Sequence, residues 1–174
     1  SQSLNVDTQS PKNQALNNSP QPGRSIKELY KKYEGQDIYI FGTGPSLFDI
    51  NPEDYKDKIC FGVNYSFEVI LDMDYIFVHV IETYNIIKKV VDNKKLLLPE
   101  TLVRQHYTDP AKNMLPNRLR TDNELAYIYP VQDPSEKTLD KKTLKLDPGS
   151  SIFTWSTTTH SAIHIAAYMG AKNI

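Results

Sequence analysis

The segment with the clearest chemical potential is a glycine-rich turn, G-T-G-P-S-L, at residues 42–47. Gly42 and Gly44 let a ligand approach the backbone closely, because neither residue carries a Cβ. The other residues of the turn add two hydroxyls and a ring that restricts the backbone: Thr43, Ser46 and Pro45. Backbone N–H groups in such a turn bind phosphate without a net positive charge. The turn therefore predicts a phosphate site, and the alternative is a tight turn without a ligand.

This motif is shorter than the two common phosphate-binding fingerprints. The G-x-G-x-x-G pattern needs glycine where this chain has Leu47, and the P-loop needs a G-K-[ST] ending. The turn does follow a short run of β-forming apolar residues at 37–41. A strand followed by a glycine turn and a helix start is the arrangement that binds phosphates in dinucleotide folds.

Polar residues end two other apolar runs and begin the last predicted helix. Asn64 follows the run at 58–63, and it either contacts the ligand or simply forms a turn. His79, in the run at 75–80, is the best candidate for a general base, and the alternative is a packing histidine with one hydrogen bond. Three hydroxyls precede a helical pattern, where they either cap the helix or hold a phosphate or carboxylate: Thr157, Thr158 and Thr159.

The elements that must position these residues alternate between strands and helices. Short apolar runs predict strands at 37–41, 58–63, 75–80, 95–98 and 126–131. A capping box at residues 25–28 starts a helix that Gly35 ends, and helical spacing marks residues 82–93 and 157–169, with Gly170 as the last C-cap. This alternation predicts an α/β, Rossmann-like fold, in which helices cover both faces of a mostly parallel sheet.

The chain divides into a tail and one domain. Residues 1–24 are rich in Ser, Asn, Gln and Pro, which predicts a disordered or linker tail, and residues 25–174 form the domain. Residues 99–150 contain several prolines and many charges, and they predict an insertion or lid whose side chains could close over a ligand: Arg104, Tyr107, Arg118 and Arg120. Residues 171–174 look like the start of another strand, so we expect a fragment truncated at its carboxyl end.

Composition excludes several classes of function. Twenty basic and 21 acidic residues give a net charge of −1, which argues against a nucleic-acid partner. The single cysteine, Cys60, excludes an internal disulfide and a cysteine-rich zinc site. His160 and His164 lie four residues apart but lack the H-E-x-x-H pattern, so we predict no metal site. No apolar run is long enough for a membrane span, which favours a cytoplasmic protein; peripheral association with the inner membrane surface stays open.

Residues 38–47 resemble the opening of two related groups of proteins, both of which begin with a strand and G-x-G-P-S-L. One group is the bacterial sialyltransferases that modify lipooligosaccharide with CMP-sialic acid as donor. The other contains archaeal 6-hydroxymethylpterin pyrophosphokinase-like proteins and flagellin motility accessory factors. The resemblance continues through residues 61–64 and 75–79, and the threonines at 157–159 resemble the sialyltransferases' T-S-G segment.

The resemblance implies a nucleotide-dependent transferase, with a sialyltransferase-like glycosyltransferase as the leading hypothesis. The nucleotide site would then comprise the Gly42 turn, Asn64 and the three threonines. A nucleotide sugar, preferably CMP-linked, would be the donor, without a tightly bound cofactor, and a glycan or small molecule the acceptor. The chain departs from those enzymes at Thr43, where they usually carry Asn, and at Trp155, where they carry Arg. Their catalytic histidine would lie beyond residue 174.

Two alternatives stay open. A pterin-type pyrophosphokinase would use ATP and magnesium, with acidic side chains at the metal: Asp49, Asp72 or Asp74. A non-catalytic nucleotide-binding module within a larger surface-polysaccharide protein is the second alternative. Turnover of ATP with magnesium would identify the first, and binding without turnover the second.

Overall fold

Six strands form one parallel sheet in the computed structural model, which describes residues 23–70, 72–92, 95–99, 102, 126–132, 146–153 and 157–174. The strands are β1 (Arg24–Ser25), β2 (Ile38–Phe41), β3 (Ile59–Val63), β4 (Tyr75–Phe77), β5 (Leu96–Pro99) and β6 (Tyr127–Tyr129). Their spatial order is β1-β6-β5-β4-β3-β2, with every neighbouring pair parallel. Two further short strands, β7 (Val131–Gln132) and β8 (Ile152–Phe153), form a separate parallel pair.

The helices whose bounds fall within the described residues are mostly short. Two α-helices have described bounds, and we number them α1 (Ile81–Ile87) and α2 (Thr158–Tyr168). The 3-10 helices are Ile26–Leu29, Pro45–Asp49, Pro52–Tyr55 and Asn64–Glu68. α1 ends several residues before the predicted helix at 82–93 does, whereas α2 agrees closely with the prediction. Within the described residues, no helix combines the length and the apolar character that a membrane crossing requires.

Both faces of the sheet are buried, because alternate residues of each central strand enter different layers of the core. In β4, Tyr75 and Phe77 join the layer that contains α2, and Ile76 joins the layer that contains α1. The same alternation holds along β3 and β5. Parallel strands buried on both faces identify an α/β fold, which confirms the predicted class at this level.

Helix α2 runs opposite to the strands. Its carboxyl end lies at the amino edge of the sheet, where Tyr33 N donates to Met169 O at 2.8 Å and Gly35 N donates to Gly170 O at 2.9 Å. The following residues then pair with the start of β2: Ile38 N donates to Asn173 O at 3.0 Å. Because α2 descends to this edge, its first turn lies toward the opposite edge, where the strands end. We call that side the carboxyl edge.

Strand β2 has different parts of the chain on its two sides. One side of β2 pairs with β3, and the other carries a parallel bridge between Asp37 and Asn173. Within the predicted strand start at 171–174, Asn173 forms this isolated bridge. The crossover after β2 therefore leads to one side of the strand, whereas α2 leads to the other. In open parallel sheets, the crevice at such a switch point is the usual ligand position.

Three boundary predictions need correction. Arg24, assigned to the tail, lies in β1 and donates its N–H to Ala126 O at 2.6 Å. The strand predicted at 126–131 is confirmed at Tyr127–Tyr129, but it belongs to the main sheet and not to an insertion, because its two tyrosine side chains are buried in the core. The capping box forms only in part. Ser25 Oγ accepts from Lys27 N at 3.3 Å, but Glu28 pairs with Arg24 instead, and the helix is a single 3-10 turn.

Several predictions fall outside the described residues. The tail at residues 1–22 and most of the proposed lid, at 100–101, 103–125 and 133–145, belong to this part of the chain. Trp155 and the four candidate lid side chains lie there as well. The lid stays a prediction from the sequence.

Gly170 gives the first test of this architecture. Its φ is +88°, and an added Cβ would lie 2.8 Å from Glu34 Cα. Gly170→Ala should lower the free energy of unfolding by roughly 1–3 kcal/mol, since both the backbone angle and the contact oppose a side chain. Urea denaturation measures this change. Gly42→Ala is the control, because a Cβ at that residue would meet no heavy atom within 4 Å. Equal losses in the two variants would contradict the described packing.

Candidate functional site

The carboxyl edge of the sheet brings together the predicted site residues of three neighbouring strands. The Gly42 turn follows β2, Asn64 follows β3, and His79 lies two residues beyond β4. Tyr129, the last residue of β6, lies further along the same edge. At the usual strand spacing, β2 and β6 are roughly 19 Å apart, which is long enough to hold an extended ligand.

The Gly42 turn is exposed and leaves space beside both of its glycines. A Cβ at Gly42 would meet no heavy atom within 4 Å, and one at Gly44 would meet only Ser46 Oγ, at 3.9 Å. Gly44 has ordinary extended angles, with φ −70° and ψ 157°. Neither packing nor backbone conformation therefore requires glycine at these positions. Both glycines border open space at the end of β2.

A hydrogen bond and a buried side chain hold the backbone that follows the turn. Gly44 O accepts from Leu47 N at 3.0 Å, and the Leu47 side chain is buried in the core. Within the described residues, the N–H groups of Thr43, Gly44 and Ser46 donate to no backbone or side-chain acceptor. Thr43 and Gly44 supply two successive N–H groups, and the N–H of Ser46 follows after Pro45, which has none. Free backbone N–H groups in an exposed turn are the kind of donor that binds an anion.

Asn64 carries an unused hydrogen-bonding side chain. Its backbone is in the left-handed region, with φ 54°, which Asn tolerates better than most residues. Its Oδ1 is buried and has no hydrogen-bond partner. A buried acceptor without a partner is uncommon, and a ligand hydroxyl or a water molecule would satisfy it. The predicted turn role and the predicted binding role are therefore compatible at this residue.

His79 is held by a buried tyrosine. Its Nε2 lies 2.5 Å from the Tyr129 hydroxyl. Burial lowers the pKa of His79 to about 4, so the ring is neutral at pH 7. Burial also raises the pKa of the fully buried Tyr129, which keeps the phenol protonated. A base is most effective when its pKa lies near the working pH, so this environment makes His79 a weak base.

Ser161 connects α2 to this pair. Its side chain is fully buried, and its hydroxyl is close enough to Tyr129 to lower the pKa of the phenol. The Ser161 Oγ nevertheless has no hydrogen bond of ordinary geometry. The first turns of α2 therefore lie against Tyr129, at the carboxyl edge.

The threonines at the start of α2 do not cap the helix as expected. Thr157 occupies the N-cap position, yet its side chain makes no capping hydrogen bond. Instead, Thr157 Oγ1 lies 3.0 Å from His160 Nδ1. Capping by Thr157 is thus wrong, whereas ligand binding by Thr157, Thr158 and Thr159 stays a prediction. Among the described residues, no hydrogen bond joins these threonines to the Gly42 turn.

The acidic candidates for magnesium lie mostly on the wrong side of the sheet. Asp74 precedes β4, at the amino edge, where its Oδ2 accepts from Cys60 N at 2.8 Å. Asp72 lies at the same edge and forms an ion pair with Lys95 at 3.4 Å. Only Asp49 is near the turn. Across the described ranges, no three His, Cys, Asp or Glu side chains gather into a metal-binding group.

Three residues of the edge are not predicted as site residues by the sequence: Tyr129, Ser161 and Phe48. Tyr129 and Ser161 both lie in elements that the sequence predicts, and the signal for Tyr129 is its position at the carboxyl end of a strand pattern. Phe48, one residue beyond the motif, is 80% exposed and offers an apolar ring next to the turn. The sequence does show that Phe48 follows the glycine turn directly, and this position could have identified it as a site residue.

Comparison of the chain with protein-family models, with curated proteins and with solved structures gave no match in any of the three searches. The assignment of function therefore depends on the geometry of the edge and on the motif itself.

The low pKa of His79 predicts a specific response to acid. Between about pH 6.5 and pH 4 the unfolded chain binds a proton at this position and the folded chain does not, so stability falls as the pH falls through this range. In His79→Gln this contribution disappears. Wild type should therefore lose stability more steeply than the variant, by up to about one proton per molecule. Urea denaturation across this pH range measures both slopes. Parallel curves would contradict the buried, neutral ring.

Proposed function

We propose that this chain is a nucleotide-dependent transferase with a Rossmann-like fold, and that it is a sialyltransferase-like glycosyltransferase. Its donor would be a nucleotide sugar, preferably CMP-linked, and its acceptor a glycan or small molecule. The observation that carries the proposal is the open Gly42 turn at the end of β2, where the sheet switches direction.

Two features of this turn favour a phosphate: its glycines have no structural reason to be glycine, and it lies at the end of β2. Structural reasons for glycine are absent at Gly42 and Gly44, because a Cβ would fit at both. A ligand that must approach the backbone is a remaining reason for glycine. The free N–H groups of the turn would bind an anion, and the switch point supplies a crevice for the rest of the ligand.

The neighbouring residues supply contacts for the rest of a nucleotide. Asn64 offers the buried Oδ1, which a ribose or sugar hydroxyl could satisfy. Phe48 offers an exposed ring on which a base could stack, a contact that every base can make. Beside a phosphate at the turn, Asn64 would thus give a polar contact to a sugar hydroxyl, and Phe48 an apolar contact to the base.

Transfer requires removal of a proton from the acceptor hydroxyl and stabilisation of the leaving phosphate. The turn and Ser46 would supply hydrogen bonds to that phosphate. His79 is the candidate base from the sequence, but its low pKa suits a hydrogen-bonding role better. The nucleotide contacts are therefore assigned to named residues. No described residue is assigned as the catalytic base that removes the acceptor proton.

One observation favours the non-catalytic alternative. At pH 7 the histidine at the edge is neutral and only weakly basic, which a module that binds nucleotide without turnover would tolerate. The pyrophosphokinase hypothesis has weaker support, since Asp72 and Asp74 lie at the edge opposite the turn. Asp49 alone would remain for magnesium.

A thermal-shift screen with CMP, CDP, UDP, GDP, ATP and S-adenosylmethionine, each with and without magnesium, tests the proposal. A ligand at one hundred times its dissociation constant adds about 2.7 kcal/mol if it binds only the folded state. We expect a shift with CMP that does not need magnesium. A shift that requires ATP and magnesium would favour the pyrophosphokinase.

Gly44→Val tests where the nucleotide binds. Valine should leave the fold stable, because the turn has room for it, and should remove the CMP-dependent shift by filling the phosphate position. Gly149→Val is the matched control: it places the same side chain in another exposed turn, where a Cβ would be 3.5 Å from Asp147 Oδ1. Retained binding in Gly44→Val, or equal loss in both variants, would contradict the phosphate position.

A further inference from the structure

The hydrogen-bonding requirements of Tyr129 determine where the proton of His79 lies. Tyr129 is fully buried, so its O–H must donate to a protein acceptor or remain without a partner at a substantial cost. Two groups are near. His79 Nε2 lies at 2.5 Å, whereas Ser161 Oγ has no hydrogen bond of ordinary geometry. The phenol therefore donates to His79 Nε2.

This direction fixes the tautomer of the ring. If Nε2 accepts from Tyr129, the proton of the neutral imidazole must be on Nδ1. Within the described residues, Nδ1 has no hydrogen-bond partner, and it is not among the buried atoms that lack one. The Nδ1–H group consequently reaches solvent at the carboxyl edge.

We propose that Tyr129 is a positioning residue that holds His79 as a neutral Nδ1–H donor for an oxygen of the ligand at the carboxyl edge. The inference rests on the proposed function for the identity of that ligand. At the usual strand spacing His79 lies roughly 10 Å along the edge from the Gly42 turn. The ligand oxygen that accepts from His79 therefore belongs to the group attached to the phosphate. On the proposed function, that group is the donor sugar.

The assignment explains why a histidine suits this position although it is a poor base. A donor that never ionises near pH 7 keeps the same hydrogen-bonding pattern before and after transfer. Because Tyr129 contributes no charge, the pair adds a directed hydrogen bond without placing an ion in the core. His79 would hold the ligand, and another group would remove the acceptor proton.

The tautomer can be measured directly in the full chain without ligand. Long-range ¹H–¹⁵N spectra of histidine-labelled protein at pH 7 distinguish Nδ1–H from Nε2–H. We expect Nδ1–H for His79 in wild type and a large Nε2–H population in Tyr129→Phe, which removes only the phenol oxygen. Tyr127→Phe, in the same strand, is the matched control and should leave His79 unchanged. An Nε2–H tautomer in wild type would overturn the proposal.

Two substitutions at His79 test the ligand contact with CMP-sialic acid as the probe. Asn places an amide N–H about where Nδ1 lies, whereas Gln places its amide about where Nε2 lies. His79→Asn should bind within about threefold of wild type, and His79→Gln should bind about tenfold more weakly, near the upper end of what the loss of one hydrogen bond causes. Circular dichroism confirms that both variants are folded at the titration temperature.

The outcomes separate this inference from the proposed function. If wild type binds CMP-sialic acid and both His79 variants bind equally well, the donor role is wrong and the nucleotide site stands. If wild type binds neither CMP nor CMP-sialic acid, the proposed function fails, and the ligand contact fails with it. In that case the tautomer spectra still decide separately whether Tyr129 positions the ring.

Discussion

The parallel direction of all six strands is the constraint on which the rest of the structure depends. Parallel strands cannot be joined by tight hairpins, so each must be followed by a crossover that returns to the amino edge. Every strand therefore ends at one edge, and every crossover begins there. The Gly42 turn, Asn64 and His79 are neighbours for this reason, although 37 positions separate the first from the last. Their proximity follows from topology and requires no direct contact between them.

The two edges of the sheet differ in several of their polar contacts. At the amino edge, polar groups satisfy one another: Asp74 accepts from Cys60 N, and Lys95 pairs with Asp72. At the carboxyl edge, Asn64 Oδ1 and Ser161 Oγ are buried without partners, and the glycines border open space. A buried acceptor or hydroxyl without a partner costs roughly 1–3 kcal/mol. Tyr168 Oη, near the carboxyl end of α2, is also buried without a partner, so such groups occur toward both edges. At the carboxyl edge they lie beside the open glycine turn, which is what a ligand-binding edge would require.

Much of this architecture could be predicted from the sequence, because the strands are short apolar runs and the last helix has clear spacing. The runs before Gly42 and Asn64 correspond closely to β2 and β3. Helix boundaries were less predictable. The region after Ser25 forms a single 3-10 turn, because the backbone leaves the helical region at Tyr30 (ψ 123°) and is left-handed at Lys31 (φ 55°). The apolar pattern predicts the strand at Tyr127–Tyr129, but its place in the main sheet is not predictable, because its partners β5 and β1 are distant along the chain.

The candidate site was predictable in position but not in chemistry. Residue types and strand ends identified the turn, Asn64 and His79, because the carboxyl ends of parallel strands share an edge. The weak basicity of His79 depends on burial and on Tyr129, fifty residues away, and neither is visible in sequence spacing. The failure of Thr157 to cap α2 likewise depends on a contact with His160 that competes with capping.

The most direct test of the central claim is a ¹H–¹⁵N correlation spectrum of the labelled full chain during titration with CMP. If the phosphate binds at the end of β2, the amides of Thr43, Gly44 and Ser46 should shift most, in a saturable manner. The amides of Asp74 and Lys95, at the amino edge, should remain unchanged. Saturable shifts that avoid the turn, or no shifts at millimolar CMP, would contradict the account.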